Sequence, residues 1–464
     1  MDSDGVSRRA VLGGVVAAMA GGGCLATGKS PKPRASDWPQ QGYDAGGTSF
    51  KSDGSPPTAE PEVVWNTQVS MAYRPHYLRF PHVVIGNGTV YTSGGTAVSL
   101  DSGTVQGQTG CYNRCFKAFA RTESYTNGVL IADDEPLGLP DSKKPSVESL
   151  TDSIRGFRPD IDSTSDCTRL TRWTAGSPTD IEMDVERLRV SNGEIIATAE
   201  LPDEGERDTS ALLMGIDTDD GAVNWRTSLW TEPFDLYVDA DYIYMHFGMQ
   251  MVGDEMSADD NAHNPYRGLV TVLDRETRDP VYQDLPEESR SIKSLRLGLL
   301  RGARDGIAYV LEFDPLDKPP YYAPILVAFD VAAGEPRWRV DLTEHATYDR
   351  DELLNNGYSG VGPVAIGPDK IYASFGDKLG AFSTTDGSLQ WLRKLYSWNL
   401  TATPDALYST SWYPEKRVSC SDPETGETLW SRSFGEDVEV HKLIVADSKL
   451  LVPLDSQIVA LEEQ

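Results

Sequence analysis

The chain has 464 residues, room for one large domain or two to three ordinary ones, and carries 71 Asp and Glu against 42 Lys and Arg, a formal net charge of −29. So acidic a surface excludes a nucleic-acid backbone as the partner, because that binding needs positive charge. Lys is half as frequent as Arg, 14 against 28, and dense carboxylates that stay hydrated while salt screens their repulsion point to a halophilic host.

The first residues read as a processing signal rather than as fold. Ser7-Arg8-Arg9-Ala10-Val11-Leu12 has the form of a twin-arginine export signal, with Arg8 and Arg9 as its pair. The apolar run from Ala10 to Ala20 is too short for a membrane-spanning helix, which takes about 20 residues. Gly21-Gly22-Gly23-Cys24 is similar to the lipoprotein cleavage motif, with Gly21 where that motif prefers Leu; Cys24 would become the lipidated first residue. The alternative is a plain cleaved signal with an incidental Cys. Residues 1–24 are thus read as signal, 25–36 as a flexible polar tether, and 37–464 as one domain on the outer face of the cytoplasmic membrane. Four cysteines remain in the mature chain: Cys111, Cys115, Cys167 and Cys420. Outside the cell, Cys111 and Cys115 could bridge each other, or one could reach Cys167. Cys420 falls at a small core position and is expected to be a free buried thiol.

Internal repetition dominates the rest. One unit reads as a short strand, an Asp, three residues, Gly, three residues and Trp. It occurs at Asp217…Gly221…Trp225, Asp330…Gly334…Trp338 and Asp422…Gly426…Trp430. Ser383…Gly387…Trp391 keeps the spacing without the Asp, and Asp274…Arg278…Tyr282 is degraded. Ahead of each unit stands a turn residue and an alternating apolar run with Tyr, as in Asn87-Gly88-Thr89-Val90-Tyr91 and Asp369-Lys370-Ile371-Tyr372. Asp-x-x-x-Gly between apolar runs is a hairpin connection: the Asp accepts from turn amides and the Gly supplies a positive φ. Small residues two places before the Asp (Gly215, Ala328, Ala381, Cys420) permit close packing, and the Trp buries a large ring between neighbouring sheets.

Each unit predicts a four-stranded antiparallel sheet that cannot bury both faces alone. Segments near 80–110, 125–175, 188–230, 235–285, 295–342, 360–396, 400–434 and 438–464 give eight. The second is the weakest, with only the run Cys167 to Trp173 as a closing strand. The last copy stops after Ile458-Val459-Ala460-Leu461, before any Trp, while Glu62-Val63-Val64-Trp65 carries a Trp with no hairpin before it. The expectation is an all-β, eight-bladed β-propeller closed by its N-terminal strand, Trp65 completing the last blade. Seven blades result if 111–175 is an insertion. Short helices are expected only at Glu148–Arg155 and Glu344–Leu354.

The form Ala328-Phe329-Asp330…Gly334…Trp338 resembles the PQQ-like repeat, and Trp38-Pro39-Gln40-Gln41-Gly42-Tyr43-Asp44 with Thr48 is similar to the start of haloarchaeal members often named after BamB. The resemblance covers residues 37–464 and implies an eight-bladed propeller. Quinoprotein dehydrogenases share the repeat and hold PQQ with Ca²⁺ beside a disulfide of adjacent cysteines. Here Cys111 and Cys115 are not adjacent, and no haem-attachment motif occurs. The expectation is therefore no cofactor, no metal and no catalytic residue. The role expected is that of a monomeric, lipid-anchored, protein- or peptide-binding scaffold or assembly factor; a small-molecule dehydrogenase working in the central funnel is the alternative.

Other candidates read as structure. The acidic stretch Met249 to Arg267, with Asp254, Glu255, Asp259, Asp260 and His263, could hold Ca²⁺ but reads as a solvated loop. Asp217-Thr218-Asp219-Asp220-Gly221 opens like a calcium loop yet sits on the repeat turn. Asn87 and Asn399 match the glycosylation acceptor. The Pro-rich run Asp317 to Pro324, with Tyr321-Tyr322, is a protruding loop suited to a protein contact or to self-packing.

Overall fold

The computed structural model describes residues 34–71, 83–108, 115–120, 122, 129–133, 154–157, 171–175, 184–200, 211–229, 232–247, 269–283, 298–315, 322–345, 361–411, 416–435 and 438–464. Among these the chain is almost entirely β-strand. It forms eight four-stranded antiparallel sheets, the blades of a β-propeller. Seven run in sequence order and occupy 83–108, 115–175, 184–229, 235–283, 298–341, 361–394 and 399–433. The eighth combines Ile444–Ala446, Lys449–Pro453 and Gln457–Glu462 with the first strand of the chain, Glu62–Gln68. Val63 lies opposite Leu461 and Trp65 opposite Ala460.

The repeat folds as its chemistry dictates. In the seventh blade the Asp422 carboxylate accepts from the amides of Glu424 (2.7 Å) and Thr425 (2.9 Å), and Gly426 at φ 70° donates to the Asp422 carbonyl. Asp217 accepts from Asp219 N in the same way, so the calcium-like segment is this turn. A bulge follows the small residue in each outer hairpin and places the Trp opposite it: Gly215 and Trp225, Ala328 and Trp338, Ala381 and Trp391, Cys420 and Trp430. The first blade keeps the spacing, with Ser99, Gly103 and Gly107 in the Asp, Gly and Trp places.

The Trp residues stitch neighbouring blades. Three indoles donate to a backbone carbonyl of the next blade: Trp338 to Thr384 (2.8 Å), Trp391 to Pro423 (3.0 Å) and Trp65 to Leu100 (2.9 Å). Trp430 donates to Pro57 (3.1 Å), just ahead of the first strand, so the N-terminal strand's approach replaces the missing turn of the last blade. The ring then lies on the next blade's turn glycine, where a Cβ would come within 2.8 Å of Trp338 at Gly387, 2.5 Å of Trp391 at Gly426 and 2.7 Å of Trp65 at Gly103. The fourth blade has Arg278 there, at φ 69°, and its guanidinium stacks 4.3 Å over the Trp225 ring. Trp225 accordingly donates to the Glu194 carboxylate instead, which also meets Arg275 at 3.4 Å.

Three expectations need correction. There are eight blades, so 111–175 contains a sheet and not an insertion; its first strand is Cys115–Ala120, earlier than the segment assigned to it. Of the expected helix at Glu148–Arg155, Ile154 and Arg155 lie instead in the strand Ile154–Phe157, where Gly156 pairs with Trp173 as the small residue of the repeat, and residues 148–153 lie outside the described residues. Tyr322 to Pro324 open the strand Tyr322–Asp330 and pair with Phe313 to Pro315, so these residues are strand rather than loop; 317–321 lie outside the described residues. At Leu342–Glu344 there is a single 3₁₀ turn, capped by the Asp341 side chain.

Candidate functional site

The innermost strand of each blade leaves one edge of backbone groups that must find partners. Residues 35–55 supply them, visiting the blades in order. Trp38 exchanges both backbone bonds with Ile85 in the first blade (2.8 and 3.0 Å), and the Pro39 carbonyl accepts from Phe119 in the second (2.7 Å). The Gln40 side-chain amide imitates a peptide, accepting from Val190 N (2.9 Å) and donating to Val190 O (2.8 Å) in the third. The carbonyls of Ala45, Gly46, Thr48 and Ser49 then accept from Val238, Ala303, Ile366 and Ala402 in the fourth to seventh blades, at 2.7–2.9 Å. Asp447 of the eighth blade donates to Ala35 O and accepts from Ser55 N, both at 3.0 Å, so the segment leaves where it entered.

All these contacts lie near the ends of the inner strands, just before the tight turns that lead to the second strand. The N-terminal segment is therefore a plug on the face that carries the repeat turns. Its interior is self-supporting. Asp44 accepts from Thr48 N (2.9 Å) and Oγ1 (2.6 Å). Lys51, fully buried, donates to the Asp37 carbonyl (2.7 Å) and lies 4.8 Å over the Tyr43 ring. Burial pulls the Lys51 ammonium below its ordinary pKa. Gly46 and Gly47 are required by close approach: a Cβ would collide with the Ala303 carbonyl at the first and with the Tyr237 ring at the second.

Directly under the plug the innermost strands bring charged side chains together. Arg189 of the third blade stacks 5.2 Å over Tyr237 of the fourth. Arg301 of the fifth blade flanks Tyr237 and Asp235 electrostatically, and Lys442, beside the eighth, donates to Ser49 Oγ at 2.6 Å. Burial, reinforced by the nearby Arg189 charge, lowers the Lys442 ammonium to about 8. Burial raises the Asp44 carboxyl. Asp235 is held low despite its burial, chiefly by His246, whose Nδ1 is 3.5 Å away. This basic donor set suits an anion; among the described residues no three His, Cys, Asp or Glu side chains gather to hold a cation.

Of the residues singled out from sequence, Trp65, Trp338, Trp391 and Trp430 are buried in the seams, and Gly387 and Gly426 lie beneath the rings of the preceding blade. Gly221 and Gly334 share the positive φ, and no heavy atom lies within 4 Å of a Cβ built at Gly334. Arg8, Arg9, Cys24, Cys111, Cys167 and the acidic stretch 249–267 lie outside the described residues; Cys115 opens the strand Cys115–Ala120. Cys420 is a free buried thiol, pushed up to about 12 by burial. Asn399 is half-buried in a strand, with Nδ2 3.3 Å from Thr410 Oγ1.

No family model and no curated protein matches the chain. Among solved structures it is similar to the quinohemoprotein alcohol dehydrogenase of Comamonas testosteroni, at 12% identity and a TM-score of 0.51 over 92% of this chain and 80% of that one. It is likewise similar to the quinohemoprotein alcohol dehydrogenase ADHIIG of Pseudomonas putida HK5, at 11% identity and 0.52 over the same shares. BamB from Moraxella catarrhalis aligns over 86% of this chain and 100% of its own at 14% identity, with a TM-score of 0.46. The first two likenesses establish the fold and nothing further.

Proposed function

We propose that the chain is an exported, lipid-anchored propeller on the outer face of the cytoplasmic membrane that binds a protein or peptide partner and does no chemistry of its own. We read the pairing of Glu62–Gln68 with Gln457–Glu462 as the closure of its ring. The observation that carries the reading is the plug. It fills the face with the tight turns, and the chain enters it at Ala35, close in sequence to the proposed anchor at Cys24. An anchor at Cys24 would hold that face toward the lipid. The opposite face, which carries most of the long connections, would then point outward.

The test places a photo-cross-linking residue at Ser456, on the turn between the last two strands and therefore on the outward face, or at exposed Glu424 on the plugged face. The reading expects one discrete membrane-recovered product from Ser456 and none from Glu424. Cys24→Ser should shift the folded chain to the soluble fraction. Unchanged membrane retention of that variant would count against the anchor. A stoichiometric quinone absorbance in a native preparation, with alcohol oxidation on adding PQQ and Ca²⁺, would replace the scaffold by a dehydrogenase.

A further inference from the structure

Two guanidinium groups beneath the plug each keep one buried donor without an acceptor among the described residues. The Nε–H of Arg189 and the Nε–H of Arg301 are both shielded from solvent and have no hydrogen-bond partner among the described residues. A buried charged donor left unpaired is costly, so its persistence asks for an acceptor that the chain does not itself supply. Neither group serves to hold the plug. That work is done by Lys51 on Asp37 O, Lys442 on Ser49 Oγ and the inner-strand amides, and Arg304 reaches Ile366 O. Arg189 has only a long contact to its neighbour Leu188 O (3.4 Å), and Arg301 has no hydrogen bond at all among the described residues.

The two carboxylates nearby are already engaged, Asp44 by Thr48 and Asp235 beside His246. Arg189 lies near enough to Lys442 to act on its ammonium, and Arg189 and Arg301 both reach Tyr237 and Asp235 electrostatically, in a chain whose net charge is −29. Arg189 and Tyr237 each precede a plug-bonded residue, Val190 and Val238, by one position, whereas Arg301 precedes Ala303 by two and stands at the bulge between Leu300 and Gly302. Arg189 and Arg301 belong to the third and fifth blades, which precede and follow the one that carries Tyr237.

We infer that the unpartnered donors of Arg189 and Arg301 beneath the plug form a binding site for a small free oxyanion, of the phosphate or compact polycarboxylate class, with the Lys442 charge beside Arg189. Paired guanidinium forks match such oxygens, whereas a point charge does not. The site stands apart from the scaffold reading, since nothing in it depends on the anchor or on the outward loops.

The experiment is isothermal titration of the full folded chain with inorganic phosphate and, separately, with citrate, at constant ionic strength. One saturable site is expected for at least one probe. R189Q and R301Q should each weaken it about tenfold or more, the effect of losing one charge-assisted hydrogen bond. R226Q, which removes the same charge from an exposed position on an outer strand, should leave it within about twofold. If either Gln variant melts early, R189K and R301K keep the charge without the fork, and the same weakening is expected. Absence of saturable binding of both probes to the wild type, retention of affinity in R189Q or R301Q, or equal weakening by R226Q would overturn the proposal.

Discussion

Alanine at the turn glycine of successive blades should separate backbone strain from blade docking. Gly334 and Gly426 occupy the same place in the repeat, at φ 69° and 70°. A Cβ at Gly334 meets nothing within 4 Å, whereas at Gly426 it would stand 2.5 Å from Cε3 of the buried Trp391 ring. Gly334→Ala then costs only the left-handed backbone penalty, about 1 kcal/mol after the gain from a less flexible unfolded chain. Gly426→Ala carries the same penalty plus overpacking of about 1–3 kcal/mol, because the indole is pinned by its bond to Pro423 O and cannot retreat. Gly387→Ala, at 2.8 Å from Trp338, should fall between them or equal Gly426→Ala. Denaturant midpoints at unchanged slope give the comparison. Adding Trp391→Ala should return the cost of Gly426→Ala to about that of Gly334→Ala, since the colliding partner is gone. Equal costs at Gly334 and Gly426, or no coupling between Trp391 and Gly426, would refute the stitching of blades by tryptophan on glycine.

Trp65→Ala should lower stability by about 3–5 kcal/mol in the same denaturation assay, because it removes a buried ring and strands the Leu100 carbonyl. The Cys420 thiol, raised to about 12, should resist alkylation at mildly alkaline pH in the folded chain and react once unfolded, as read by mass spectrometry of its peptide. Lys442 makes a pH prediction of definite sign. Its folded pKa of about 8 lies below the usual 10.5, so between these values the unfolded chain holds the extra proton and stability rises with pH. The unfolding free energy of the wild type minus that of Lys442→Met should therefore climb from pH 8 upward; a flat difference would contradict the burial of that ammonium.

The blades were legible because their hairpins depend on side-chain identity. Asp, Gly and Trp at fixed spacing mark the turn and the seam wherever the outer connection is short. The second blade escaped a clear reading because residues 158–170 separate Gly156 from Trp173, so the spacing is lost while the pairing survives. The first blade lost its Trp to Gly107. The plug was visible only as a likeness in its opening residues. It works through backbone groups and a single Gln40 amide, and neither leaves a periodic signal. Arg189 stands in an ordinary alternating strand and Arg301 at a bulge, and what sets them apart is the company brought by three different blades.

The account turns on residues 35–55 sealing the inner edges of all eight blades, and amide hydrogen exchange tests this most directly. Peptides covering Ile85, Phe119, Val190, Val238, Ala303, Ile366, Ala402 and Asp447 should exchange slowly in the wild type. In Gly46→Ala, where a methyl group would collide with the Ala303 carbonyl, those amides should open together while the seam tryptophans stay protected. Fast exchange at these amides in the wild type, or an unchanged pattern in Gly46→Ala, would contradict it.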